Sequence, residues 1–477
     1  MRAECAALGV LLLGACGGDP VGPADPPTIA SFTVAANPGN ALSLLAVLRT
    51  GGGDSGRVTF RVTGGPSDST PFRAIRAGSD TLPVLGLQPD TDYLLQLEVH
   101  GPGGRTRSGE VAITTPSLPE AIRSLRLSVT GVRAAGYTLV VPLLANNASD
   151  AWLLAFDGAG ALRWYFHRAG EGWAVEARQL PSGAFSVYAG RSYGWQPEDG
   201  RFVEVTPLGQ VIRSYRAGPG LYTDPHDLLL TPGAGAPQAV HLLAYDIRPF
   251  DLTARGGAPD APLAVHRIVR LGVDGEREFE WDAGEHYSPD DWPIGAQGFD
   301  LVHPSSLEID ADGHYVVSLQ GVSQVAKIDA ETGAFRWRLG GNGADLVVMD
   351  DPLGGFHGQH SARMLPNGNL LLLDNRLGQS PAGARAVEYR LDLPNRQAHL
   401  VWEYRPDPAI VSPIMGSVQR LAGGATVVGF GAAGRIVEVP SAGAPAWGAT
   451  LVSGTGAAPV QFYRALRIAS LYRYEPS

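Results

Sequence analysis

Two regimes of hydrophobic patterning divide the chain. Through residues 28–118, apolar and polar positions alternate in ALSLLAVLRT, RVTFRVTGG and DYLLQLEVHG, and Gly, Pro, Ser and Asp separate these runs. Alternation with period two sends successive side chains to opposite faces, so the runs predict half-buried strands of a small antiparallel β-sandwich. From 119 to 477 a longer phrase recurs: an apolar strand ending in a polar residue, a turn, then a strand carrying an aromatic or other apolar residue. It reads LLAFDGAGALRWYF from Leu153, FVEVTPLGQVIRSY from Phe202, IVRLGVDGEREFEW from Ile268, VAKIDAETGAFRWRL from Val325, VEYRLDLPNRQAHLVWEY from Val387 and IVEVPSAGAPAWGATL from Ile436. The six copies lie about 49 to 66 residues apart. Each predicts a hairpin, and a second hairpin precedes it, as RMLPNGNLLLLDN precedes VEYRLD. Four antiparallel strands repeated six times predict an all-β chain in which a six-bladed β-propeller follows the sandwich.

Composition supports that reading and narrows the function. With Gly 62 and Pro 37 among 477 residues and 44% hydrophobic residues, the chain has many turns and still enough apolar side chains for a core. A net charge of −10 argues against nucleic acid as a partner, because phosphate neutralisation needs a basic surface. Both cysteines, Cys5 and Cys16, lie in the first sixteen residues, so no disulfide staples the body of the protein.

Residues 1–16 place one Arg before a short apolar run from Ala6 to Leu13 and end in Leu13-Gly14-Ala15-Cys16. The run is far shorter than the roughly 20 residues of a membrane span and reads as a signal peptide. Its end resembles the lipobox of bacterial lipoproteins, with Cys16 as the lipid-bearing residue; an ordinary cleaved signal with an incidental Cys is the alternative. Gly17 follows the Cys, where Asp would favour inner-membrane retention. The expectation is a bacterial cell-envelope protein at the outer membrane or periplasmic face, touching membrane only through its lipid. Residues 17–27 read as a flexible linker. No titratable cluster stands out in 28–118, which suits a spacer or a homodimer contact.

The repeat also aligns histidines. Superposing the segments on their turn glycines pairs Val175–Gly183 with His360–Gly368 and brings His226 to the position of His360. Ser305 falls there in another repeat, with His303 two residues earlier, and Gly416 in the last. This position begins the innermost strand of a blade, so its occupants converge on one mouth of the channel. For any one of these histidines a satisfied structural role is the stronger reading; three at one mouth favour a site. Of the others, His100 belongs to the sandwich, His167, His241, His266, His314 and His399 fall on outer strands or turns, and His286 sits in an insertion, 282–300, that could cover the channel. Three His could hold a zinc ion with Asp227 orienting one ring, but no HExxH or other short metal spacing occurs. No Gly-x-Ser-x-Gly elbow and no acid pair occupies the aligned positions. Imidazoles remain as nucleophile, acid–base group and cationic clamp.

Several stretches resemble known families. Leu87-Gln88-Pro89-Asp90-Thr91-Asp92-Tyr93, continued by LLQLEV and closed by ITTP, resembles a fibronectin type III domain. Asp300-Leu-Val-His303-Pro-Ser305-Ser306, Asp312-Gly313, Val325 to Gly340, Gln359-His360, Asp374-Asn375, Arg385 to Asp392 and Phe462 to Ile468 resemble the bacterial arylsulfotransferases, over nearly all of 119–477. That resemblance implies a sandwich followed by a six-bladed propeller. It also implies transfer of a sulfuryl group from an aryl sulfate to a phenol through a sulfohistidine, with no nucleotide sulfate donor and no metal or other cofactor. His360 matches the family's nucleophile, and His303 and His226 its supporting histidines. His357 is a second acid–base candidate, with a structural role as its alternative. Gln320 stands where the family has a sulfate-clamping Arg, and Ser305 where it usually has Asn. Either another arginine takes over the clamp, Arg376 being the nearest, or the substrate is not an ordinary aryl sulfate. A lipid-anchored propeller that binds an anionic ligand or a protein without turnover stays open as the second reading.

Overall fold

The structure is a computed structural model that describes residues 25–133, 135–144, 150–172, 174–190, 200–233, 236–291, 300–380, 383–442, 444–454 and 458–473. The signal segment, Cys16 and most of the linker lie outside the described residues, as do residues 292–299 of the insertion after Asp282. Nearly every described element is a β-strand; the one described α-helix is the single turn Glu120–Arg123.

The chain divides into two compact units, one of Met1–Val34, Ala46–Leu82 and Leu94–Ala112, the other of Ala35–Leu45, Pro83–Tyr93 and Ile113–Ser477. Residues 28–114 contribute a three-stranded sheet, Thr28–Ala36, Ser43–Gly51 and Gly78–Leu85, and a second sheet built on Ser55–Val62 and Asp92–Gly101. In the smaller unit the alternating residues Leu95, Leu97 and Val99 are buried with Leu48 and Val58. It also contains a titratable cluster that the alternation hid. Buried Glu98 accepts hydrogen bonds from Arg57 and Arg107 and lies 2.8 Å from the His100 ring. The His100 bond, then the two arginines, hold its carboxyl down at about 2 against the opposing effect of burial.

In the larger unit, each of the six recurring phrases forms an antiparallel hairpin in its own sheet; three of these sheets are four sequential strands, two have five strands, and the first is completed by Phe462–Ile468 from the end of the chain. Residue Val316 packs with Val325, Leu372 and Val387, while its neighbour Val317 packs with Leu243 and Ile268. Leu370 and Leu372 likewise face one neighbouring sheet and Leu371 and Leu373 the other. Strands covered on both faces need apolar residues at every position, which explains runs such as LLLL at 370–373. The same packing links the sheets in chain order and joins the last to the first through Ile436, Leu451, Leu154 and Phe462. Strand pairing closes the chain as well: Phe462–Ile468 pairs with Tyr137–Pro142, and Leu125–Gly131 with Trp447–Ser453.

The leading strands of these sheets carry the candidate chemistry. His226 lies on Tyr222–Thr231, Ser305 on Pro304–Ile309 and His360 on His360–Met364; Tyr463 and Arg464 lie on Phe462–Ile468.

Candidate functional site

Asp227 is the hub on which these strands converge. Its carboxylate is fully buried, accepts two hydrogen bonds from Arg464 at 3.1 and 3.3 Å, and is paired with Arg178 and, at 3.4 Å, with Arg363. It also accepts the Leu307 N–H at 2.8 Å. Arg464 reaches on to the Ser305 carbonyl at 2.6 Å and to Glu176 at 2.7 Å. Three guanidiniums and two carboxylates thus lock together the strands that carry His226, Ser305, His360 and Tyr463. Burial pushes Arg178 down to about 10, with Glu176 opposing, so it remains charged at neutral pH. Asp227 was expected at most to orient a histidine ring; instead it holds backbone and arginines.

His360 is buried, and its neighbours define its tautomer. The Asn375 Nδ2 donates to the Ser412 and Met415 carbonyls at 2.7 and 2.8 Å, which turns Oδ1 toward His360. That oxygen lies 2.8 Å from Nδ1, and the Gly358 carbonyl lies 3.2 Å from it. Two acceptors require a proton on Nδ1, so the lone pair resides on Nε2, where the Met415 N–H donates a long hydrogen bond of 3.2 Å. Burial, reinforced by the neighbouring His303, His226 and Arg464, presses the ring down to about 3, against the Asn375 bond. His360 is a neutral imidazole across the whole physiological range.

Each of the other two histidines has an acid at its back. Asp224 lies 2.7 Å from His226 Nδ1 and, through its other oxygen, 3.2 Å from His266. Burial nonetheless keeps His226 below its usual value, Asp224 opposing. His303 Nδ1 is hydrogen-bonded to Asp300. Burial alone would depress His303, but the charges of Asp300 and the more distant Asp224 outweigh it and raise the ring above its usual value. The His226 and His303 rings are 5.1 Å apart, and Tyr463 lies 5.6 Å from His226 and 6.5 Å from His360. His303 is thus drawn toward its protonated form and His226 toward its neutral form beside His360, the kind of divergence that separates acid from base roles.

The remaining expected residues fall into two groups. Ser305 is fully buried and its hydroxyl donates to the Gln359 carbonyl at 2.9 Å, so it fixes the backbone before His360. Gln320 is tied by its N–H to the His303 carbonyl at 2.9 Å. His357 and Arg376 form a second locus on either side of Asp374, whose Oδ1 accepts both of their backbone N–H groups at 3.0 Å. The sequence reading missed Asn375 as a tautomer lock, Asp224, Asp300, Tyr463, Arg464 and His266; the last, expected on an outer strand, is buried against Asp224. An available signal was the acid two or three residues before each supporting histidine, Asp224-Pro-His226 and Asp300-Leu-Val-His303, against Gly358-Gln-His360. Backbone strain gave no such signal. Five of the eight described non-glycine residues with positive φ are His303, Ser323, Ser361, Arg376 and Met415, all at this end. Among the described residues, no group of three or more His, Cys, Asp or Glu is arranged to hold a metal ion.

Replacing Asp227 tests the hub. Asp227→Asn leaves buried Arg464 and the partly buried Arg178 and Arg363 without the carboxylate they share, so denaturant unfolding followed by tryptophan fluorescence should show a loss of roughly 3–5 kcal/mol, the usual result of breaking a buried ion pair from one side. A loss under about 1 kcal/mol would show that Asp227 does not hold these strands.

Comparison with known proteins bears on residues 136–442, which match the family model described as arylsulfotransferase (ASST). No curated protein matches the chain. Among solved structures, a protein of unknown function from Bacteroides caccae is 12% identical, over 71% of this chain and 100% of its own, with a TM-score of 0.42. A catalytically inactive virginiamycin B lyase from Staphylococcus aureus with quinupristin is 10% identical, over 71% of this chain and 88% of its own, with a TM-score of 0.34. At such TM-scores neither likeness bears on the site. The family match spans well over half of the chain, and the chain belongs to the arylsulfotransferase (ASST) family, whose substrates are phenols and aryl sulfates.

Proposed function

We propose that this protein transfers a sulfuryl group from an aryl sulfate to a phenol by double displacement at His360. The catalytic unit is a six-bladed β-propeller, preceded by a fibronectin type III-like sandwich and anchored through a lipid on Cys16 at the cell envelope. The observation that carries the reading is the state of His360: neutral, with Nδ1–H held by Asn375 and the lone pair on Nε2.

In the first half-reaction the Met415 hydrogen bond yields and Nε2 attacks sulfur in line with the departing phenolate. The N–S bond forms, the S–O bond to the aryl oxygen breaks, and the phenolate takes the Nε2 proton of cationic His303. The Nδ1–H stays on Asn375 as positive charge builds on the ring. In the second half the acceptor phenol gives its proton to His303, now neutral. Its oxygen attacks sulfur and the electron pair returns to Nε2. An imidazole of low basicity is a good leaving group, which suits a transfer that must run through both halves. Cationic His303 also supplies positive charge beside the sulfate oxygens, which offsets neutral Gln320 where the family has arginine. His226, kept neutral and oriented by Asp224, positions the sulfuryl group between the other two rings.

Two experiments test this reading. Incubation with 4-nitrophenyl sulfate and no acceptor should leave a mass increment of one SO3 on the peptide containing His360, analysed without acid. His360→Ala should carry no adduct and no transfer activity, and an adduct elsewhere, or none on the native protein, would end the proposal. The second is a pH profile. His303 is active as the cation and its pKa is raised, so kcat/KM for phenyl sulfate should hold past the usual histidine range and fall as pH rises through that pKa. Asp300→Asn removes the charge that raises it, so the fall should move to lower pH; an unmoved limb would dismiss His303 as the acid. The limb should be shallower for 4-nitrophenyl sulfate, whose phenolate leaves without a proton.

A further inference from the structure

Arg376 is the buried charge in this region that the chemistry above does not use. Its side chain is only 5% exposed, and its Nε and Nη1 are buried with no hydrogen-bond partner among the described residues. The neighbouring carboxylates are already committed. Asp374 receives the Arg385 Nε at 2.8 Å on one oxygen and two backbone N–H groups on the other. Asp351 receives both Arg385 terminal nitrogens, at 3.0 and 2.8 Å, and the Tyr389 hydroxyl at 2.6 Å. Arg385 thus takes up the hydrogen bonds that these acids offer, and Arg376 Nε and Nη1 are left without an acceptor among the described residues. A buried guanidinium with unmade hydrogen bonds costs stability, and so does its left-handed backbone at φ 56. Such a group fits a ligand anion, to which either orphaned nitrogen can donate a charge-assisted hydrogen bond.

Where that anion would sit follows from the neighbours. Arg376 follows Asn375, the partner of His360 Nδ1, and its charge acts on the ring of half-buried His357. Arg376 is thus one residue removed in sequence from the side chain that holds the His360 ring. Asp374 fixes both backbone N–H groups at the base of this pair.

We propose that Arg376 and His357 form an anion subsite for a second acidic group, a carboxylate or sulfonate, carried by the aromatic substrate in addition to the sulfuryl group transferred. The inference rests on the aryl-substrate reading above, but its test does not require turnover. His360→Ala protein is titrated calorimetrically with phenol, 3-hydroxybenzoate and 4-hydroxybenzoate. One of the two carboxylates should bind at least tenfold more tightly than phenol. Adding Arg376→Gln should erase that preference without weakening phenol, Arg376→Lys should retain part of it, and His357→Gln should reduce it less. If Arg376→Gln does not fold, the Lys variant and a competition titration with benzoate carry the test. Equal affinity for phenol and both hydroxybenzoates, or a preference that survives loss of the guanidinium, would overturn the subsite. A preference for the carboxylate together with no sulfuryl adduct on His360 in the native protein would leave the subsite standing and remove the transfer reaction; an adduct without the preference would do the reverse.

Discussion

The ion cluster around Asp227 is the constraint on which the site depends. A buried carboxylate tolerates low dielectric only when it is fully paired, and here Arg464, Arg178 and Arg363 supply the pairing. Those partners arrive from different sheets, so satisfying one charge fixes the relative position of several strands. Closure depends on the same interaction, because Arg464 lies on the strand that pairs with Tyr137–Pro142 and so joins the end of the chain to its beginning. Ser305, through its carbonyl on Arg464 and its hydroxyl on Gln359, extends the lock to the residue before His360.

On that frame, three similar side chains acquire different protonation states from what stands behind them. Asn375 gives His360 a neutral acceptor, which sets the tautomer without adding charge. Asp300 gives His303 a carboxylate partner and raises its pKa above the usual value. Asp224 is shared between His226 and His266, and burial still prevails on His226. Burial depresses all three rings, and only at His303 do the neighbouring carboxylates outweigh it.

Much of the architecture could be read from the sequence because its signals are local. The hairpin phrases repeat with recognisable turn glycines, and the doubly covered strands appear as apolar runs such as 370–373. The alignment of His226 and His360 followed from the same regularity, and His303 and Ser305 followed by strand spacing. What the sequence hid is non-local. Arg464 and Asp227 lie 237 residues apart and look like ordinary charged residues in strands. Asp374-Asn375-Arg376 reads as one polar turn, yet its three side chains brace Arg385, orient His360 and stand unpaired. His266 belonged to an outer strand by its pattern and proved to be buried, because its strand faces inward at Asp224. Asp300 and Asp224 were visible at fixed offsets from their histidines, but without the fold nothing said that burial would make them decisive.

The central claim is that His360 and His303 sit in opposite protonation states at neutral pH. Long-range 1H–15N correlation spectra of protein labelled at histidine, assigned with His360→Ala and His303→Gln variants, measure this directly. The account predicts that His303 carries protons on both ring nitrogens at pH 7, while His360 shows a protonated Nδ1 and a bare Nε2 down to pH 4. A cationic His360 at pH 7, or a His303 that is neutral there, would contradict it.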